Sequence, residues 1–226
     1  MQQKAARRRL IAASLILLAG LAGPTPSSPQ TAMTNTRVPV LSDANLSKWK
    51  SWDFSGMTRY SKVTLDGRVA VKAVSKSAAS GLYRKLRIDL QATPLLNWSW
   101  RVDNTFGPID ERSRGGDDYP ARIYVIVKHP LFFWKTTALT YVWSSAQPAG
   151  TAWPNAYTDN ATIVAVRSGD AELGEWHQER RNVLEDFRRY FGKKVRYIDA
   201  VAVMTDTDNT GDRAVAYYGD IWFTAR

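Results

Sequence analysis

The chain is 226 residues long, carries a formal net charge of +10 and contains no cysteine. The lack of cysteine excludes disulfide staples and a lipidated N-terminal cysteine, so stability must come from a packed core, with or without a metal. Nine Trp, ten Tyr and seven Phe supply that core, while the positive charge permits contact with anionic surfaces without demanding it.

The N-terminus has a secretory layout. Lys4, Arg7, Arg8 and Arg9 precede an apolar run over residues 10–22, followed by small residues and prolines. That run falls well short of the ~20 residues that span a bilayer, so it reads as a cleaved signal peptide. Cleavage after Ala22 removes residues 1–22 and leaves no transmembrane anchor. The arginine triplet also fits a twin-arginine signal. Residues 23–37 are rich in Pro, Ser and Thr and read as a disordered lead. Residues 38–226 form a single domain, with no internal repeat and no second linker. These features predict an exported protein, periplasmic or extracellular. Nucleic acid is not expected as a partner, because no reader motif is present.

Strand signals dominate the rest. Val69, Val71 and Ala73 keep a period of two after an Asp66-Gly67 hairpin turn. Residues 80–88 form a further strand. Leu96, Trp98, Trp100 and Val102 alternate with Asn97, Ser99 and Arg101, a period of two that marks a half-buried strand. Residues 123–127, 138–143, 161–166 and 198–204 are short apolar runs that fit strands covered on both faces. One helix is convincing: Val183, Leu184, Phe187, Tyr190 and Phe191 follow helical spacing, Asn182 caps the start and Gly192 the end. Residues 201–223 read as two buried strands joined in a hairpin by a tight acidic loop. Many short strands and one short helix in the C-terminal half predict a mainly β fold, an antiparallel β-sandwich of jelly-roll type.

Several segments in combination carry a resemblance: Trp98 to Val102, Gly116 to Tyr124, Leu139 to Trp143, Glu179 to Asn182, and Thr205 to Gly211. Together they resemble the bacterial domain-of-unknown-function family 3047, over nearly the whole mature chain. The resemblance implies a secreted bacterial domain and transfers no catalytic residue. Tyr218 to Phe223 is also similar to the last strand of galactose-binding-like sandwiches.

Two acidic loops are the candidate sites. Asp206, Asp208 and Asn209 offer the oxygen atoms that calcium takes, with Asp220 as a further metal ligand. Without a closing glutamate the spacing is not an EF-hand, and the same residues serve an ordinary turn. Asp117 and Asp118 lie in a long polar loop, where adjacent carboxylates need a cation or an arginine such as Arg122. Should the two loops meet, they would form one acidic cleft. Trp153 and Tyr157 either stack on the apolar faces of sugar rings or pin their loop to the core. Residues 129–134 form an apolar connection that is either a contact patch or a buried cap. Arg180, Arg181, Arg188 and Arg189 with the lysines after the helix are a solvated face or an anionic contact.

No nucleophile elbow, metalloprotease helix or phosphate loop is present, and there is no cysteine nucleophile. The sequence therefore favours a secreted, non-catalytic binding domain for a carbohydrate or cell-envelope ligand, with calcium as an optional structural ion. One alternative is a carbohydrate-active hydrolase using paired aspartates. The other is an envelope structural or interaction protein.

Overall fold

A computed structural model describes residues 37–129, 131 and 135–226. The predicted signal peptide and lead, and most of the apolar 129–134 segment, lie outside the described residues. The described residues hold thirteen strands and one α-helix: β1 (Arg37–Leu41), β2 (Lys50–Ser55), β3 (Arg59–Leu65), β4 (Arg68–Lys76), β5 (Ala79–Asp89), β6 (Leu95–Val102), β7 (Ala121–Val127), β8 (Thr137–Ser144), β9 (Ala152–Asn155), β10 (Thr158–Ser168), β11 (His177–Asn182), α1 (Val183–Phe191), β12 (Tyr197–Asp206) and β13 (Arg213–Thr224).

The strands form two sheets. The back sheet is six-stranded, in the order β11-β6-β13-β4-β3, with β1 added beside the C-terminal half of β13. The groove sheet is seven-stranded, in the order β2-β5-β12-β7-β8-β10-β9. The chain crosses between sheets at each step from β4 to β7, which gives the jelly-roll sandwich. Among the described residues the pairings are antiparallel except β8 with β10, which run parallel because β9 intervenes and then pairs on the far side of β10.

The period-two pattern decides what lies between the sheets. Trp98 and Trp100 of β6, and Val71 and Ala73 of β4, point inward and meet Ile123, Tyr141, Val201 and Val203 of the groove sheet. Trp98 stacks on Tyr141 with ring centroids 5.5 Å apart. Helix α1 closes one end with Val183 and Phe187 in the core. Its caps are those the sequence predicts: the Asn182 side chain accepts from the Glu185 N–H at 3.2 Å, and Gly192 takes φ 64° and donates to the Arg188 carbonyl.

One expectation fails. Strands β12 and β13 do not form a hairpin; they lie in different sheets, and residues 207–212 arch between them. The reason lies in β12 itself. It is flanked on both sides, by β5 and β7, and so has no free edge for β13. The arch is tied to the β4–β5 turn, where the Thr207 N–H donates to the Ala78 carbonyl at 2.8 Å.

Candidate functional site

The arch and the long loop between β6 and β7 come together at one end of the groove sheet. The loop is held by Glu111, a fully buried residue that the sequence reading passed over. Its carboxylate accepts from the Ser144 hydroxyl and from the Ser145 N–H at 2.6 Å. Its backbone carbonyl accepts from the Tyr119 hydroxyl at 3.0 Å and the Trp153 indole N–H at 3.3 Å. Burial pushes the Glu111 carboxyl up, against these donors. Gly116 is needed for the fold of this loop: a Cβ there would stand 2.3 Å from the Asp110 carbonyl oxygen.

Arg122 is the centre of the cluster. Alternation along β7 turns Ala121, Ile123 and Val125 into the core and Arg122 and Tyr124 onto the opposite face. The Arg122 guanidinium makes a fork on Asp206, with Nε 2.8 Å from Oδ1 and Nη2 on Oδ2. It also reaches the Asp117 carbonyl, stands 3.5 Å from the Asp117 Oδ1, and lies over the Tyr119 ring at 4.3 Å. Both partners of the fork are buried, Arg122 at 3 % exposure and Asp206 at 2 %.

Asp118 joins the two loops. It accepts from the Asn209 side chain at 3.1 Å and from the Asn209 and Thr210 backbone N–H groups at 3.3 and 2.6 Å. Oxygen atoms of Asp118, Asp206 and Asp208 all lie within 4.8 Å of one another. This crowding and burial act on the titration of the group. Burial pushes Asp206 up to about 7, with Asp118 and Asp117 adding to the push and Arg122 opposing it. Burial and Asp118 push Asp208 up as well.

The loops therefore meet, and Asp117, Asp118, Arg122, Asp206, Asp208 and Asn209 form one cluster. Asp220 does not join it. It lies in the back sheet, bonded to Arg37 at 3.3 Å and to the Asp43 N–H at 3.0 Å. Of its two readings, Trp153 takes the pinning one and not the stacking one. It is 4 % exposed and packs with Tyr119, Val142 and Ile163, so it pins the loop from beneath. Tyr157 is 54 % exposed, and its hydroxyl bonds the Arg114 carbonyl and Asn209.

Among the described residues, Asp118, Asp206 and Asp208 are the group that could hold a cation. Yet Arg122 already occupies both oxygens of Asp206, and the Asn209 and Thr210 backbone N–H groups occupy both of Asp118. The guanidinium thus supplies the charge that calcium would supply. The expected result is a thermal midpoint unchanged between millimolar calcium and a chelator. A rise of several degrees with calcium would show that Asp208 completes a metal site.

A groove of about 510 Å³ runs from this cluster across the outer face of the sheet. Its floor takes residues from every strand in turn: Trp52, Ala79, Met204 and Tyr124, then Thr140, Ala161 and Asn155. Trp52 and Phe54 wall the far end, their ring centroids 4.8 Å apart, and Trp52 meets Tyr124 edge-on at 5.8 Å. Phe54 is 58 % exposed. Tyr157 and Asn155 border the acidic end, where Asn155 donates to Asp117 at 3.3 Å. The sequence reading missed the Trp52 wall. The signal was Trp52 and Phe54 alternating with Ser51, Asp53 and Ser55, a short strand with one aromatic face.

Fold and site define a jelly-roll β-sandwich with an open, partly aromatic groove across one sheet and a buried arginine–carboxylate cluster at its end. The chain belongs to the family described as protein of unknown function (DUF3047), whose profile matches residues 47–222. No curated protein matches the sequence. Solved structures of similar fold include TmCBM61 in complex with β-1,4-galactotriose, at 10 % identity and TM-score 0.39, covering 80 % of this chain and 90 % of that one. A family 12 glycoside hydrolase is similar at 8 % identity and TM-score 0.45, covering 85 % and 100 %. The carbohydrate recognition domain of Emp47p is similar at 10 % identity and TM-score 0.42, covering 84 % and 94 %. Likeness at this level carries no argument about fold or ligand; the sandwich is read from the strands themselves.

Proposed function

We propose that this protein is an exported, non-catalytic domain that binds a carbohydrate chain of the cell envelope in the groove. The observation that carries the reading is the groove itself: open along the sheet, with exposed aromatic rings at both ends. Aromatic faces stack on the apolar faces of sugar rings, and hydroxyls are met by the polar side chains between. Trp52, Phe54 and Tyr157 supply the rings. Asn155 and Thr158 supply donors and acceptors along the groove. Calorimetric titration against a panel of neutral and acidic oligosaccharides tests this. Binding of at least one linear oligosaccharide is the expected result, and a silent panel with a folded protein overturns it.

The hydrolase reading has one observation in its favour, the raised titration of Asp206. Geometry weighs against it. Glycosidases place two carboxyl groups on opposite sides of the scissile bond, about 5–10 Å apart. Here all four aspartates sit together at one end, and the oxygens of Asp206 are held by Arg122. If a hydrolytic activity is found, Asp117→Asn and Asp206→Asn abolish it on the hydrolase reading, and its persistence in folded variants overturns that reading.

A further inference from the structure

The outer face of the back sheet has a character opposite to that of the groove. Strand alternation turns Arg59 of β3, Arg68, Lys72 and Lys76 of β4, Arg213 of β13 and Arg180 of β11 onto this face. The parity is fixed by their registers. Arg59 pairs with Val74, and Arg213 with Lys76. The residues of the same parity, Ala70, Val74, Val215 and Tyr217, form a small apolar cluster of their own, apart from the main core. Among the described residues none of these six cations is in an ion pair. Asp66 and Asp103 of this face are paired with Arg101, and Asp220 with Arg37.

Aromatic rings lie beneath the cations. Arg68 stands over Trp176 at 5.5 Å, Lys72 over Tyr217 at 5.5 Å and Arg37 over Trp222 at 4.3 Å. Cations above Trp and Tyr on an otherwise apolar-to-neutral surface are what the headgroup layer of an anionic bilayer takes up. The positive charges are spread over four strands, from β3 across to β11, and not along a single track. Such a spread suits a planar anionic surface better than a single polymer strand.

We propose that the back sheet docks on an anionic lipid surface, through Arg59, Arg68, Lys72, Lys76, Arg213 and Arg180. The two sheets pack face to face, so this orientation turns the groove away from the membrane and leaves it open to its ligand.

Co-sedimentation of the full chain tests this, with vesicles of phosphatidylcholine alone and with a third phosphatidylglycerol. Any binding through the basic, apolar N-terminus is common to all variants compared. The expected result is tighter binding to the anionic vesicles, weakened by added salt. Arg59→Glu/Arg68→Glu/Lys72→Glu weakens it by about tenfold or more. Arg188→Glu/Arg189→Glu/Lys193→Glu, which makes the same charge change on the helix, leaves it within about twofold. Should the reversed face not fold, by circular dichroism, Arg59→Gln/Lys76→Gln/Arg213→Gln carries the same expectation with a smaller loss. Equal losses from face and helix sets would mean that net charge alone attracts the protein, and the proposal falls. Equal binding to both vesicle types overturns it too.

Discussion

Arg122→Met lowers the stability of the domain by about 3–5 kcal/mol, the loss seen when one member of a buried ion pair is removed. The substitution keeps most of the side-chain volume and takes away only the guanidinium. Asp206 then loses both of its arginine bonds, and Asp117 loses its cation and the donor to its carbonyl. Tyr119 loses the charge over its ring. The deficit depends on pH in a determined direction. Burial already raises Asp206 in the native state to about 7, above its unfolded value. A raised carboxyl adds stability below the unfolded pKa and loses it as pH rises through the folded one. Removing Arg122 raises Asp206 further, so the extra loss falls above about pH 7. Urea unfolding therefore gives a larger difference between wild type and variant at pH 8.5 than at pH 5.5. Arg122→Met/Asp206→Leu recovers part of the stability, because no buried charge is left unpaired. A variant within about 1 kcal/mol of wild type at both pH values would show that the fork carries little of the fold.

The groove and the cluster differ in how far the sequence announced them. The fold class, the helix with both caps and most strands followed from local pattern: period-two runs and turn residues act within a few positions of themselves. The acidic residues were also legible as residue types. Their partners were not. The pairing of Arg122 with Asp206 spans 84 positions, and that of Asp118 with Thr210 spans 92. No local rule reaches that far. The false hairpin at residues 201–223 has the same origin. An apolar strand, an Asp/Asn/Gly loop and a second apolar strand look alike whether the strands pair or separate into two sheets. What decides is the neighbours of β12, strands β5 and β7, which come from far earlier in the chain. Trp153 and Trp52 show the converse limit. Both are tryptophans near turn residues, and the sequence singled out only the one beside Gly150 and Pro154, leaving stacking and pinning both open. Packing against Tyr119 took Trp153 inside, and the edge position of β2 left Trp52 over the groove.

The largest functional effect is expected at that edge. Trp52→Ala weakens oligosaccharide binding by about 30-fold or more, the loss of roughly 2 kcal/mol that truncating a central aromatic contact brings. Trp52 is the ring that touches Phe54, Tyr83 and Tyr124 together, so its removal also frees its neighbours from their packing. Stability should change far less than binding, because the ring is only partly buried on an edge strand and does not belong to the main core. Tyr157→Phe separates the two contributions at the other end: the ring remains for stacking, while the hydroxyl bonds to Arg114 and Asn209 are lost. Binding then falls by only a few fold, with the thermal midpoint little altered. The pair of variants ranks the groove from end to end. If Trp52→Ala binds as wild type does while Tyr157→Phe does not, the ligand sits wholly at the acidic end, and the aromatic wall belongs to the sheet edge and not to the site.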